Sequence, residues 1–190
     1  MPRSGRKKSE TGIYHVMLRG INRQPIFAEN EDYYKYLSLL TTVKDISGFK
    51  LYAYCLMENH IHLLLKEDGE PLGQIFKRLG SRYVFWFNKK YNRVGHLFQD
   101  RFKSAPVEDE GYFIRALFYI YQNPVEAGIC AKPRDYEWSS RKNLGKNCLI
   151  DEDELFGIIP IDAIKLRDQD EIIGELQKTK AWEDIALLGK

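Results

Sequence analysis

Cysteine is scarce in this sequence, and no cysteine has a partner at short spacing. Cys55, Cys130 and Cys148 are far apart in a chain of 190 residues, without a Cys-x-x-Cys pair. Disulfide frameworks and zinc fingers both need paired cysteines, so this pattern argues against either class. Scattered cysteines are typical of a protein in a reducing compartment, and we therefore expect a cytoplasmic location.

Long apolar runs are also missing. No stretch approaches the roughly 20 apolar residues that a membrane-spanning helix needs, and the basic start of the chain lacks the apolar core of a signal peptide. Apolar residues nevertheless make up 44% of the chain, and aromatic residues make up 13%. This is enough for one substantial core, so we expect one domain with appendages.

Charge is unevenly distributed, although the net charge is only +2. Residues 151–190 carry 11 acidic and five basic side chains, whereas residues 1–150 carry a net charge of +8. We therefore predict a flexible basic arm (residues 1–11), a domain (residues 12–150) and an acidic helical appendage (residues 151–190). The basic part is suited to the phosphates of a nucleic acid. The residues that we expect to contact such phosphates are Arg3, Arg6, Lys7, Lys8, Arg19, Arg23, Lys77, Arg78, Arg82, Arg101 and Lys103.

Periodicity predicts the order strand, helix, two strands, helix, strand, helix. Alternating apolar residues indicate strands at 13–19, 51–56 and 60–66. Helical spacing indicates one helix with Asn30 as its N-cap that ends near Ser47 and Gly48, and a second helix with Pro71 at its first helical position. This order is typical of a ferredoxin-like α+β fold, in which helices cover one face of an antiparallel sheet. The other face is then expected to be free for a ligand.

The second half of the domain contains a short strand and a third helix. The strand is predicted to end at Val107, and the helix is predicted to open near Asp109. Because proline disfavours helical geometry at the residue before it, Pro124 predicts that the helix ends at Asn123. Residues 136–140 are expected on the surface.

Four polar side chains could form a site. His60 and His62 are two residues apart on a predicted strand and so point to the same face, while Tyr119 and Asn123, four apart on a predicted helix, also share a face. Two imidazoles and an amide oxygen leave open positions on a divalent metal. This mixed set of nitrogen and oxygen ligands is more typical of a site for Mg²⁺ or Mn²⁺ than of a closed zinc site. A tyrosine hydroxyl beside such a metal can attack a phosphodiester.

The residues alone leave two other interpretations open. One is a non-catalytic module that binds single-stranded nucleic acid through its sheet and basic surface, which would not require all four side chains. The other is a hydrolytic metalloenzyme that uses His60, His62 and His96 and forms no covalent intermediate.

Four ordered blocks resemble the single-tyrosine HUH transposases, and within them the branch of REP-associated tyrosine transposases. The blocks read YHVMLRG at residues 14–20, YCLMENHIHLL at 54–64, GHLFQDRF at 95–102 and YIYQNPVEAG at 119–128. Four blocks in order are far more specific than a His-x-His pair alone.

The resemblance implies an HUH nuclease fold with a divalent metal on the sheet. It assigns His60 and His62 as metal ligands, Tyr119 as the nucleophile and Asn123 as the third ligand. The implied reaction cleaves and rejoins single-stranded DNA near a hairpin, such as a REP-like palindrome, through a 5′-phosphotyrosine and a free 3′-OH. A monomer is expected for this branch, and a dimer remains the alternative, since related transposases form dimers that exchange the nucleophile helix.

Three positions depart from the pattern of the family. Glu58 replaces the proline that usually precedes Asn-His, and Phe118 and Glu126 replace residues that are commonly basic. The two missing positive charges bear on the DNA contacts expected around the third helix.

Overall fold

Four strands and four helices form the part of the chain that the computed structural model describes, residues 7–146 and 149–159. The predicted order of elements is confirmed. In chain order the elements are β1 (Ile13–Arg19), α1 (Asn30–Ser47), β2 (Lys50–Met57), β3 (His60–Lys66), α2 (Leu72–Lys90), β4 (Lys103–Pro106), α3 (Glu110–Glu126) and α4 (Glu152–Ile158).

The strands form one antiparallel sheet in the order β2-β3-β1-β4. The two central strands, β1 and β3, are buried at every position except their ends. Their register places Arg19 opposite His60 and Met17 opposite His62. The predicted histidine pair therefore lies in the middle of the sheet, on the face that also carries His15.

Helices cover both faces of the sheet. Helices α1 and α2 pack together, and Leu18 of β1 lines the same groove as Phe76 of α2. Helix α3 packs on β2 and β3, next to the histidines. The α+β fold is confirmed, but the face expected to be free carries α3. Beside this helix, the same face remains accessible near Arg19 and Lys103.

Helix ends differ from the prediction by one residue in two places. The N-cap of α1 is Glu29, not Asn30, because Glu29 and Asp32 form a reciprocal capping box. Pro71 precedes α2 as its N-cap and is not its first helical residue. The predicted end of α1 is confirmed, since Gly48 adopts a φ of 71° that suits glycine at this position.

The predicted end of α3 at Asn123 is wrong. The helix continues through Pro124 to Glu126, so the proline removes one backbone donor without ending the helix. The final turn keeps the hydrogen bond from the Ala127 amide to the Asn123 carbonyl, 3.0 Å long. Asn123 thus remains in helical geometry, one turn after Tyr119.

The prediction that residues 136–140 form a surface segment is wrong. They lie along the outer edge of β2, where the Leu56 amide donates to the Trp138 carbonyl and the Ser140 amide donates to the Tyr54 carbonyl. Burial follows from this pairing, because an otherwise open sheet edge acquires backbone partners.

The two ends of the described chain contact the sheet. Near the start, the Ser9 amide donates to the Tyr14 hydroxyl. At the other end, Asp151 accepts a 2.7 Å hydrogen bond from the Leu51 amide, and Leu155 of α4 is fully buried. Within the described ranges, no helix is long and apolar enough to span a bilayer.

Candidate active site

His60 is held by two side-chain amides. Its Nδ1 lies 2.7 Å from Oδ1 of Asn59, and its Nε2 lies 3.4 Å from Oδ1 of Asn123. Each asparagine donates its own NH₂ group to a backbone carbonyl, Asn59 to Arg23 and Asn123 to Tyr119. Both amide oxygens therefore point at the ring of His60.

This arrangement places two hydrogen-bond acceptors face to face. Because Nδ1 of His60 must donate to Asn59, Nε2 of the neutral ring carries a lone pair. It faces Oδ1 of Asn123, which also carries lone pairs. Two lone-pair donors in this relation fit a cation between them.

His62 lies deeper, and its two nitrogens have different surroundings. Its Nδ1 is 2.9 Å from Nε2 of His15, whereas its Nε2 is buried without a hydrogen-bond partner among the described residues. A buried orphan nitrogen is costly unless something binds it. His62 Nε2, His60 Nε2 and Asn123 Oδ1 are therefore the atoms that could hold a divalent cation such as Mg²⁺ or Mn²⁺.

Tyr119 lies against the histidines. Its ring is edge-on to His62, with centroids 5.5 Å apart, and edge-on to His15, with centroids 5.7 Å apart. Tyr121, two residues later, lies in the core toward Ser140 on another side of α3. The structure therefore brings together all four predicted catalytic and metal-binding side chains.

Burial keeps the imidazoles neutral. It is the main cause that lowers the pKa of His60 to about 4; Asn123 acts in the opposite direction, and the charge of Arg19 makes a smaller contribution to the lowering. Burial is also the main cause of the lowered pKa of His62. Neutral imidazole is the form that binds metals.

The hydroxyl of Tyr119 is protonated at neutral pH. Burial raises its pKa to about 12, and the nearby charge of Glu126 adds to this effect. The charge of Arg19 and a hydrogen bond to Asn123 act in the opposite direction. Additional positive charge beside the ring would lower the pKa of the Tyr119 hydroxyl, because it favours the phenolate.

His15 is the residue that sequence reasoning missed. It is completely buried and contacts both His62 and Tyr119. The sequence did contain a signal, since His15, at every second position with Met17 and Arg19, shares one face of β1 with them. Recognising it would have required the pairing of β1 with β3, which the spacing alone does not reveal.

His96 does not join the pair. It lies exposed in the loop before β4. Across residues 7–146 and 149–159, no three side chains among His, Cys, Asp and Glu are placed to hold a metal. A metal bound at His60 and His62 would need the amide of Asn123 or ligands from outside the described residues.

The basic residues predicted to contact phosphates are in different environments. Arg19, Arg101 and Lys103 line one small cavity together with Met17, Gln99 and Asp100. It lies beside the histidines, because Arg19 is opposite His60 and Met17 is opposite His62. Arg78 forms a 2.9 Å hydrogen bond with Glu70 and is engaged within the protein. The exposed remainder comprises Lys7, Lys8, Arg23, Lys77 and Arg82, while Arg3 and Arg6 lie outside the described residues.

Comparison with known proteins identifies the family. The sequence model described as "Transposase IS200 like" matches residues 8–123, a segment that contains both histidines, Tyr119 and Asn123. The chain belongs to the IS200-like transposase family. This confirms the resemblance to single-tyrosine transposases.

Two similar proteins are named as REP-associated tyrosine transposases. A protein of Haemophilus influenzae named "Putative REP-associated tyrosine transposase" is 32% identical over 104 residues, which cover 48% of this chain. The match spans only 58% of the length of that relative. A solved REP-associated tyrosine transposase, bound to a REP hairpin, shares the fold with a TM-score of 0.64 and 19% identity, covering 85% of this chain and 90% of the other.

Proposed function

We propose that this chain is a metal-dependent transposase that cleaves and rejoins single-stranded DNA near a hairpin, with Tyr119 as its nucleophile. The observation that carries the proposal is the position of Tyr119. Its ring lies against His62, while Asn123, one helical turn later, faces His60. Simple binding of a nucleic acid would not need a tyrosine hydroxyl beside two opposed lone-pair donors.

The proposed metal ligands are His60 Nε2, His62 Nε2 and Asn123 Oδ1. Mg²⁺ or Mn²⁺ fits this mixture of nitrogen and oxygen atoms and leaves positions open for a substrate. When bound, the ion would supply positive charge to a non-bridging phosphate oxygen and to the attacking oxygen. The protein contributes neutral imidazoles, held in orientation by Asn59 and His15.

In the proposed cleavage step, the Tyr119 hydroxyl attacks the scissile phosphorus. The phenol loses its proton to water, the oxygen–phosphorus bond forms and the bond to the 3′ oxygen breaks. The departing 3′ oxygen takes up a proton and becomes a hydroxyl group. The energy of the broken ester is kept in the 5′-phosphotyrosine, so attack by another 3′-OH can rejoin DNA without ATP.

The proposed partner is single-stranded DNA carrying a REP-like hairpin. Support comes from the relatives, one of which was solved with a REP hairpin. Arg19, Arg101 and Lys103 would hold phosphates beside Tyr119. We propose that the chain acts as a monomer, and the contact of Tyr119 with His62 of the same chain supports this. We place this activity in the cytoplasm.

The decisive experiment incubates the protein with hairpin-flanked single strands and Mn²⁺ and looks for a covalent protein–DNA band on a denaturing gel. Tyr119→Phe removes one oxygen and keeps the ring, so the band and the cleavage should both disappear while hairpin binding persists. Tyr121→Phe is the matched control, a buried tyrosine on the same helix that should retain both. Peptide mapping should place the DNA on Tyr119.

Other outcomes would favour other functions. Cleavage that persists in Tyr119→Phe would indicate a hydrolytic metalloenzyme using water. Hairpin binding without cleavage by the unmodified protein, at any Mn²⁺ concentration, would favour the non-catalytic binding module. Cleavage by the His60→Ala, His62→Ala double variant in chelator would exclude the metal.

A further inference from the structure

A third histidine, His15, is buried next to the proposed metal ligand His62. His15 lies on β1, on the sheet face that carries His62. Met17 is directly opposite His62, and His15 is its diagonal neighbour. Diagonal neighbours in a sheet are within reach of long side chains. Nε2 of His15 consequently comes within 2.9 Å of Nδ1 of His62, and both rings are fully buried.

The contact between the two rings decides which nitrogen of His62 is available to a metal. A neutral imidazole has one N–H group and one bare nitrogen. If Nδ1 of His62 donates to His15, then Nε2 of His62 is bare and can bind a cation. If His15 donates instead, Nε2 of His62 carries the proton and cannot bind.

We propose that His15 is a positioning residue, which accepts a hydrogen bond from the Nδ1–H group of His62. This hydrogen bond fixes the tautomer and the orientation of His62 in which its Nε2 is free for the metal. This inference rests on the proposed metal site. It assigns His15 a role distinct from ligation, since its nitrogen nearest to the site is already occupied by His62. Asn59 supports the other proposed ligand in the same way, because its Oδ1 accepts a hydrogen bond from Nδ1 of His60.

The two supports differ in one respect. Asn59 is fixed by its own hydrogen bond to the Arg23 carbonyl, so it can act only as an acceptor toward His60. His15 has no such anchor, because its Nδ1 is buried without a partner among the described residues. Removing the acceptor at residue 15 should therefore release His62 to the competing tautomer.

The test measures Mn²⁺ affinity by calorimetric titration, without DNA and without any activity assay. His15→Phe keeps an aromatic ring against Tyr119 but offers no acceptor, and we expect affinity to fall about 10–100-fold, as for other residues that support a metal ligand. His15→Gln places an amide oxygen near the position of Nε2 and should recover part of that loss. Met17→Leu is the matched control, since Met17 is buried opposite His62 and offers it no hydrogen bond.

A spectroscopic measurement tests the tautomer itself. In protein with ¹⁵N-labelled histidine, long-range proton–nitrogen correlations should show His62 protonated at Nδ1 in the unmodified metal-free protein. In His15→Phe, the signal of His62 should shift toward the Nε2–H form. If His15→Phe does not fold, the spectrum of the unmodified protein and the titration of His15→Gln still decide.

The outcomes separate this inference from the proposed function. If the unmodified protein binds no Mn²⁺ at His60 and His62, the metal site itself fails. If it binds Mn²⁺ and His15→Phe binds equally well, or if His15→Gln loses as much affinity as His15→Phe, the positioning role is refuted while the metal site stands. Protonation of His62 at Nε2 in the unmodified metal-free protein would also refute it.

Discussion

Asn123 uses both ends of its side chain. Its NH₂ group donates to the Tyr119 carbonyl, one turn earlier, and its oxygen faces His60. The first hydrogen bond fixes the amide, so the oxygen cannot exchange places with the nitrogen. A residue that only capped the helix would not need to present its oxygen to an imidazole.

Replacement of Asn123 tests this double use. We expect Asn123→Ala to weaken Mn²⁺ binding by at least about tenfold and to slow cleavage, with partial recovery at high Mn²⁺. The lost hydrogen bond should lower the free energy of unfolding by about 1 kcal/mol. Calorimetric titration and urea denaturation separate these effects. Loss of stability with unchanged Mn²⁺ affinity would reduce Asn123 to a structural residue.

At the scale of elements, the site depends on two contacts between distant parts of the chain. Strands β1 and β3 pair in a register that puts Arg19 opposite His60, and α3 packs on β2 and β3. Side chains from three elements thereby meet. Each element is local in sequence, but the meeting point is set by strand register and helix packing.

The difference between local patterns and contacts between distant residues explains which predictions succeeded. The bounds of β1 and β3 and the shared face of His60 and His62 are confirmed, because alternation is a local property. The role of His15 was missed because its partner lies 47 residues away. The burial of residues 136–140 depends on pairing with the edge of β2, which no local pattern records.

The end of α3 shows a different kind of miss. The rule that a helix ends before proline describes a preference, and α3 overrides it within its last turn. The hydrogen bond from the Ala127 amide to the Asn123 carbonyl survives beyond Pro124. The turn from Tyr119 to Asn123, which allows Asn123 to face His60, lies before Pro124 and is helical in either case.

The segment that enters β4 gives an electrostatic prediction. Arg101 and Lys103 are exposed and line a cavity with Arg19, so they should bind phosphates next to the site. In the double variant Arg101→Ala, Lys103→Ala, the slope of log K against log salt should become shallower by about 1.4, from about 0.7 per phosphate contact on a single strand.

A matched loss of charge provides the control for this slope. Lys132 and Arg134 are exposed near the opposite edge of the sheet, where residues 136–140 pair with β2. Fluorescence anisotropy of a labelled hairpin, measured over a range of salt concentrations, should give the unmodified slope for Lys132→Ala, Arg134→Ala. Equal slopes for the two double variants would remove the β4 side from the DNA interface.

At the scale of the whole molecule, the proposed site couples folding to pH. His15, His60 and His62 are neutral when folded, because burial is the main cause that lowers each pKa. In the unfolded chain, histidine takes up a proton near pH 6.5. The unfolded state therefore binds more protons below this pH, and stability must fall as the pH decreases.

The pH range follows from the pKa of each ring in the two states. Burial lowers the pKa of His15 to about 3 and that of His60 to about 4, so both rings stay neutral in the folded protein between pH 6.5 and pH 5. Across this interval each ring can remove up to about 1.4 kcal/mol of stability per pH unit. Above pH 7 the effect should fade, since the histidines of the unfolded chain also become neutral as the pH rises past their pKa.

Urea denaturation between pH 7.5 and pH 5, with chelator present to exclude metal, measures this coupling. The free energy of unfolding of the unmodified protein should decrease steadily below pH 6.5. His15→Phe removes one buried imidazole and should make the decrease shallower; the comparison is between the slopes with pH, not between absolute stabilities. Met17→Leu, which changes a buried side chain without removing a titratable group, should retain the slope of the unmodified protein. If His15→Phe retained that slope as well, the fully buried, neutral state of His15 in the folded protein would be disproved.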